Sequence, residues 1–326
     1  MPDPRLTIVA SPHFAVRPEQ LRRLATAHPR VDVRFVSTPD EYAAVLPDVD
    51  AAITGFGVTV EQLAHAPRLR WLQAQSAGVD RLLTPELRRS SLLITASKGP
   101  MGVLMAEHVV ALLFALARNL PGFFRDQREH SWRRFAPERP PLRELSGKTI
   151  LVLGVGSVGQ EIARICKVGL QMRVLGFARS RQECPYVDRF IPRADLHQAL
   201  GEADVVTLSL PTTPETTRII DAAALTAMKP GAFLINVGRG QLVDEAALVE
   251  ALRSGHLGGA GLDAFEVEPL PAESPLWSLP NVIVTPHTSA ITDHLGDRFV
   301  DFWSGNVRRF AEGEPLLGVV DKMAGY

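Results

Sequence analysis

Three apolar runs in the second half of the chain end in side chains that can bind an acid and move a proton. Ile235-Asn236-Val237-Gly238-Arg239-Gly240 ends in a guanidinium. Gly261-Leu262-Asp263-Ala264-Phe265-Glu266-Val267-Glu268-Pro269-Leu270 ends in carboxylates, and Val284-Thr285-Pro286-His287-Thr288-Ser289-Ala290 ends in an imidazole. A guanidinium pairs with carboxylates and polarises carbonyls. An imidazole gives or takes a proton near neutral pH. Ligands of open α/β sheets bind beyond the carboxyl ends of the strands. Singly, these residues read as a solvated arginine, an ordinary Glu-Pro turn and a satisfied structural histidine. Converging on one edge of one sheet, they read as a site. The sequence has no Cys/His zinc spacing, no G-x-S-x-G elbow and no Walker lysine, so no metal is expected.

A fourth signal precedes them. Thr149-Ile150-Leu151-Val152-Leu153 runs directly into Gly154-Val155-Gly156-Ser157-Val158-Gly159, and a helical pattern follows over 160–168. G-x-G-x-x-G between a strand and a helix is the context of dinucleotide binding. The first glycine allows the turn, the second admits the pyrophosphate, and the third lets helix pack on strand. In an NAD site an acid follows roughly 20 residues later and binds the ribose 2′-hydroxyl. Here Val174-Leu175-Gly176-Phe177 ends in Ala178-Arg179-Ser180-Arg181, with alanine where the acid belongs. Arg179, Ser180 and Arg181 offer donors to a 2′-phosphate. The expected cofactor is therefore NADP(H), preferred over NAD. The alternative is that these arginines are solvated loop residues.

The elements that must position these groups alternate along the chain. Short apolar strands are predicted at 6–10, 33–36, 51–54, 71–74 and 92–95, with helical patterns between them, such as 18–27 and 39–46. A second strand series covers 149–153, 173–177, 205–210, 232–236, 261–264 and 282–285. Two helical stretches, 103–117 and 122–135, lie between the series. Alternation of this kind implies parallel sheets flanked by helices. The predicted fold is α/β, with two Rossmann-like or flavodoxin-like domains, parallel sheets and a deep interdomain cleft. The amphipathic segment 295–311 has no further strands to join and is expected to return to the first domain. That makes 1–98 plus 289–326 one discontinuous domain and 99–288 the dinucleotide-binding domain.

Composition limits the alternatives. The 326 residues suit two domains, and 46% apolar residues suit two cores. A net charge of −1 gives no footprint for nucleic acid or an anionic membrane. Cys166 and Cys184 do not make a disulfide framework. No signal peptide is visible, and the apolar stretch 103–117, interrupted by Glu107 and His108, reads as too short to span a bilayer. A cytoplasmic protein is expected.

With these residues assembled, the chain resembles the D-2-hydroxyacid dehydrogenases along nearly its whole length. The resemblance is carried by Leu72-Gln73-Ala74-Gln75-Ser76-Ala77-Gly78-Val79-Asp80, by Met105-Ala106-Glu107-His108, and by the glycine loop. It continues through Pro211-Thr212-Thr213-Pro214-Glu215-Thr216, Met228-Lys229-Pro230-Gly231-Ala232 and the three strand ends above. It implies reduction of a 2-keto acid, such as glyoxylate or hydroxypyruvate, to the D-2-hydroxy acid. By resemblance, Arg239 binds the keto oxygen and carboxylate, His287 is the acid/base, and Glu268 is its partner. The backbone at Ala77, Gly78 and Val79 cradles the substrate carboxylate. Ser157 and Val158 lie against the pyrophosphate, Pro211 and Thr216 border the cofactor, and Val237, Gly238 and Asp263 lie on the nicotinamide side, with Arg239 and His287 also near the cofactor.

The departures from the family pattern are informative. Gly238 replaces the more usual Ala or Ser. Glu268 is not Gln, which argues against a formate dehydrogenase. No long C-terminal extension follows, so a regulatory amino-acid-binding domain is not expected. The family also implies a homodimer built on the 122–135 stretch, with Trp132 a candidate to reach the partner's site. Phe56, Leu82 and Met101 are positional candidates for the substrate pocket. Two other readings stay open: oxidation of a different donor such as phosphite, and a nucleotide-sensing, corepressor-like binding protein. Fold alone does not decide between them.

Overall fold

Apolar runs of mostly four or five residues form the strands. The computed structural model describes residues 5–79, 82–134, 140–179 and 183–325. It divides into two units, Met1–Met101 with Ile291–Tyr326, and Gly102–Ala290.

The first unit carries β1 (Leu6–Ala10), β2 (Val31–Phe35), β3 (Ala51–Thr54), β4 (Trp71–Ala74) and β5 (Leu93–Ala96). They form a parallel sheet in the order β2-β1-β3-β4-β5. β3 and β4 are buried throughout, as a sheet covered on both faces requires. The helix Leu295–Glu312 belongs to this unit. A buried polar network ties it to the sheet. Asn306 Nδ2 donates to Gln73 Oε1 (2.9 Å), which also accepts from Thr95 Oγ1 (2.8 Å), and Trp303 Nε1 donates to Ser97 Oγ (2.9 Å). Beyond the helix, the chain returns along β5. Val320 N–H donates to the Ile94 carbonyl (2.9 Å) and Ala96 N–H to the Gly318 carbonyl (2.8 Å). This short antiparallel contact covers the free edge of β5. Three residues carry too little periodicity to be read as a strand.

The second unit carries β6 (Thr149–Leu153), β7 (Arg173–Phe177), β8 (Arg189–Phe190), β9 (Val205–Leu208), β10 (Phe233–Asn236), β11 (Gly259–Leu262) and β12 (Val282–Val284). All pairs are parallel, in the order β12-β11-β10-β9-β6-β7-β8. Strand order reverses around β6 and β9, the position where doubly wound sheets bind ligands. The two-residue β8 is absent from the sequence reading, because it is shorter than any recognisable pattern.

Two expectations about the helices need correction. The stretch 103–117 extends further. A 3₁₀ turn at Gly99–Met101 leads into the helix Gly102–Ala117, and the whole run Gly99–Ala117 is long and apolar enough to cross a membrane by length and composition. In the structure it is a core helix. Leu104, Ala106, Val109, Leu112, Leu113 and Leu116 are buried, and it packs on β10, β11 and the helix Ser157–Arg164. The predicted 122–135 helix is instead Leu120–Arg128. His130 takes φ 52°, and the N–H groups of His130 and Ser131 return to the carbonyls of Gln127 (3.2 Å) and Asp126 (2.9 Å). This double bond to the last turn is a Schellman stop, so Trp132 lies past the helix. Cys166 is buried, and burial pushes its thiol up to about 12.

His13, just past β1, sits against Phe299 (4.8 Å between centroids) and near Trp303 (5.9 Å). Burial pushes its imidazole down to about 4. The folded protein therefore holds it neutral where an unfolded chain protonates it, near 6.5. The sign follows from linkage: stability falls as pH drops from about 6.5 to about 4 and levels off below. His13→Phe is expected to flatten this part of the profile. Thermal unfolding of both proteins from pH 7.5 to 4 checks it; parallel curves would contradict it.

Candidate active site

The glycine loop begins where β6 ends. Gly154 adopts φ 102°, and a Cβ there would lie 2.9 Å from the Leu210 nitrogen. Gly159 has no clearance at all, since a Cβ would fall 1.9 Å from the Gly154 carbonyl oxygen. Gly156 caps the helix Ser157–Arg164, and its Cβ direction is open, with nothing within 4 Å. The tight turn, the close helix–strand contact and the open middle position are the three features a pyrophosphate site needs. Ser157 and Val158 begin the helix. These residues fit a dinucleotide.

At the end of β7, Ala178 packs against the core and Arg179 follows. Ser180 and Arg181 lie outside the described residues. The loop after β9 carries Glu215, whose carboxyl is held below its usual range by the Thr213 hydroxyl and its own backbone, and further by the charges of Arg193 and Arg179. Arg193 Nη2 also donates to the Glu215 carbonyl (2.6 Å). Arg179 thus stands in the field of an acid on the neighbouring loop. In the same loop Thr216 Oγ1 donates to the Pro211 carbonyl (2.7 Å) and accepts from Thr213 N–H (2.8 Å), so Pro211 and Thr216 are brought together.

β10 delivers Arg239 through a turn that its own last residue organises. Asn236 Oδ1 accepts from Gly238 N–H (3.0 Å), and its Nδ2 donates to the Arg239 carbonyl (2.9 Å). Val237 is buried beside it. A Cβ on Gly238 would meet Leu242 Cδ1 at 2.9 Å and the Leu210 carbonyl oxygen at 3.0 Å, so the glycine matches its neighbours. Arg239 is half-buried.

β11 and β12 deliver the acid and the imidazole. His287 Nδ1 lies 2.9 Å from Glu268 Oε2 and 3.1 Å from Oε1. The two side chains are 48% and 32% exposed, accessible enough to meet a ligand. His287 adopts φ 54°, which costs a non-glycine residue on the order of 1 kcal/mol. The turn is held by Asp263, whose carboxylate is buried. Oδ1 accepts from the Thr285 hydroxyl (2.6 Å) and Thr288 N–H (2.8 Å), and Oδ2 accepts from Ser289 N–H (2.9 Å). His108 Nε2 lies 3.1 Å from Thr285 Oγ1 and joins the same cluster. The sequence reading put Asp263 beside the cofactor; its oxygens are occupied within the chain, on either side of His287.

In the first unit, the loop after β4 holds Ala77, Gly78 and Val79. Among the described residues their three successive N–H groups have no hydrogen-bond partner. Ser76 Oγ donates to the Gly78 carbonyl (2.7 Å), and Leu82 and Leu83 N–H donate to the Val79 carbonyl (2.9 and 3.0 Å). Among the described residues the carbonyls of Gly78 and Val79 are satisfied and the three donors are not, which is the polarity of an anion nest. Of the positional pocket candidates, Phe56 is exposed, Leu82 is half-buried near Gly57, and Met101 is buried. Among the described residues no cluster of His, Cys, Asp and Glu could hold a metal ion.

Comparison with known proteins identifies the family. The family model for the D-isomer specific 2-hydroxyacid dehydrogenase NAD-binding domain matches residues 110–289. D-3-phosphoglycerate dehydrogenase of Mycobacterium tuberculosis is 36% identical over 290 residues, 87% of this chain; the chain spans only 54% of that protein's length. Glyoxylate reductase of Pyrococcus furiosus is 36% identical over 281 residues, 84% of this chain and 83% of that one. The crystal structure of an NADPH-dependent glyoxylate/hydroxypyruvate reductase from Sinorhizobium meliloti, in complex with NADP and sulfate, superposes with a TM-score of 0.81 at 31% identity, covering 99% of this chain and all of that one. The chain therefore belongs to the D-isomer specific 2-hydroxyacid dehydrogenase family.

Proposed function

We propose that the protein is an NADPH-dependent reductase of 2-keto acids, working on a small acid such as glyoxylate or hydroxypyruvate and forming the D-2-hydroxy acid. The observation that carries this reading is the His287–Glu268 pair, at 2.9 Å, standing at the sheet edge that also presents Arg239 and the glycine loop. A nucleotide sensor has no need of such a pair, so the corepressor-like reading is not favoured, and no observation favours a donor such as phosphite.

The glycine loop, Ser157, Val158, Pro211, Thr216, Val237 and Gly238 would hold the cofactor in the Gly102–Ala290 unit. Bound nicotinamide supplies the hydride to C2. The chain's own residues do the rest. Arg239 pairs with the substrate carboxylate and draws charge toward the carbonyl oxygen. His287 donates a proton from Nε2 to that oxygen, because Nδ1 is turned to Glu268. In the first unit, the N–H groups of Ala77, Gly78 and Val79 are the candidate cradle for the substrate carboxylate. We further propose a cytoplasmic homodimer. Phe114, Phe124 and Trp132 are exposed, Trp132 by 95%, and apolar side chains grouped on and after two consecutive helices suit a second copy of the chain.

His287→Ala is expected to lower turnover by roughly a hundred- to ten-thousand-fold while NADPH affinity stays close to wild type. Steady-state kinetics with a panel of 2-keto acids, beside a fluorescence titration of NADPH, checks both halves. Near-wild-type turnover would refute the proton-donor role.

Reduction consumes a proton from imidazolium, so its rate falls with rising pH. Glu268→Gln keeps a hydrogen-bond acceptor but removes the negative charge that favours the protonated ring. The falling limb of the reduction profile should move to lower pH. An unmoved limb would leave Glu268 a structural residue.

NADPH should be preferred over NADH, with Arg179 as one cause. A hydrogen bond to a charged group contributes about 1.5–3 kcal/mol before solvent screening, so Arg179→Ala should weaken NADPH use on the order of tenfold or more and NADH use far less. The measurement is kcat/KM for each cofactor at saturating keto acid. Equal values in the wild type, or an equal loss for both cofactors, would show that the arginine plays no part in the choice.

A further inference from the structure

The turn that carries Glu268 is gripped by the segment that follows Arg239. After Arg239 the chain makes a 3₁₀ turn, Gly240–Leu242, and then the helix Glu245–Arg253. Gly240 lies directly on the backbone of Phe265; a Cβ there would fall 1.8 Å from the Phe265 carbonyl carbon. Next to this contact, two side chains hold the peptide groups of a single residue. Gln241 Nε2 donates to the Glu266 carbonyl (3.2 Å), and Glu245 Oε2 accepts from Glu266 N–H (3.2 Å). One residue earlier, Phe265 N–H donates to Glu268 Oε1 (3.1 Å), and that carboxylate meets His287. A connected path runs from Glu245 through the Phe265–Glu266 backbone to Glu268 and the imidazole.

Glu245 opens its helix, where an acid suits the positive end of the dipole, but it does not cap it. Asp244 is the N-cap and accepts from Ala247 N–H (3.1 Å). No ion pair explains it either. Arg218 lies 3.7 Å from Asp244 and 3.7 Å from Glu266, and among the described residues Glu245 has no cationic partner. Its carboxyl is half-buried, and burial, with Glu266 nearby, raises it above its usual range despite the bond from Glu266 N–H. Among the described residues, the hydrogen bond its side chain makes is the one it accepts from the amide of Glu266.

We propose that Glu245 is a positioning residue for the acid/base pair: by accepting the Glu266 amide, with Gln241 on the carbonyl side, it fixes the turn that sets the Glu268 carboxylate on His287. This rests on the reading of His287 and Glu268 as the acid/base pair. The task needs an acceptor and not a charge, so glutamine can perform it and alanine cannot.

The test compares wild type, Glu245→Gln, Glu245→Ala and Gln241→Ala. The readouts are kcat and KM for keto-acid reduction across pH, and NADPH affinity by fluorescence titration. Glu245→Gln should stay within about twofold of wild type with an unmoved pH profile, whereas Glu245→Ala should lose about tenfold in kcat, the equivalent of one net hydrogen bond. In Glu245→Ala the falling limb should also move to lower pH, with NADPH affinity unchanged. Gln241→Ala, at an exposed position, should show the same change more weakly, and it carries the test if Glu245→Ala does not fold. A wild-type kcat and profile in the alanine variants would overturn the proposal. So would a glutamine variant as impaired as the alanine one, or a parallel loss of NADPH affinity. His287→Ala in the same assay separates the failures. If it keeps turnover, the acid/base reading is wrong and this inference falls with it. If it is inactive while the Glu245 and Gln241 variants behave as wild type, only this inference is wrong.

Discussion

A buried carboxylate must be given donors or it destabilises the fold that buries it. Asp263 is 1% exposed, and among the described residues its hydrogen-bond donors come from one short segment, Thr285 to Ser289. The register of β11 with β12 pairs Leu262 with Val284, which sets Asp263 beside Thr285. A slip of one residue would turn the acid to the other face and leave it without partners. The demand of a single desolvated charge therefore fixes strand register, closes the turn and holds His287 in a left-handed conformation that it would not adopt alone. The imidazole is placed by the hydrogen-bonding needs of a neighbouring carboxylate.

The same division of labour recurs along the sheet edge. Asn236 is buried and spends both ends of its amide on the Arg239 turn. Thr216 spends its hydroxyl on the Pro211 loop. In each case a polar side chain is used up on backbone within the chain. Preorganisation by hydrogen bonds that are already made costs nothing when substrate arrives. The first unit uses another device in the loop after β4, where, among the described residues, the Gly78 and Val79 carbonyls are satisfied and the amides of Ala77, Gly78 and Val79 have no partner.

Much of this was legible in the sequence, for physical reasons that also mark where reading stops. Strands with a covered parallel environment appear as apolar runs, so eleven of the twelve strands among the described residues were visible from Leu6 to Val284, within a few residues at their ends. β8 was not, because two residues have no period. The early stop of the helix at Arg128 was not, because it depends on His130 taking a left-handed φ, which residue type alone does not announce. The glycine loop was readable because each glycine answers a local demand of turn or clearance. Asp263, Gln241 and Glu245 were not readable as they stand in the fold. Their partners lie more than twenty residues away along the chain, and no local pattern encodes a bond across strand ends. The acid in the family motif was noticed; what it holds was not.

Recognition of anions by a chain of net charge −1 has to be local. The structure offers three kinds of positive group for it: open backbone amides at Ala77–Val79, the start of the helix at Ser157, and the guanidinium groups of Arg239 and Arg179. Amides do not titrate, and guanidinium stays charged throughout the physiological range. Imidazole is the side chain whose charge changes near neutrality. The groups suited to binding and the group suited to proton transfer are thus chemically distinct. In the proposed reaction, a change of pH would act on the proton-transfer step and leave the charges proposed to hold cofactor and acid in place. Glu215 is the exception among the surrounding groups, because its carboxylate shares the field of Arg179 and Arg193. Its hydrogen bonds hold its carboxyl below the usual range, so it too presents a constant charge near neutrality. In the proposed reaction, coupling between binding and pH falls on the imidazole, the kind of side chain whose charge changes near neutrality.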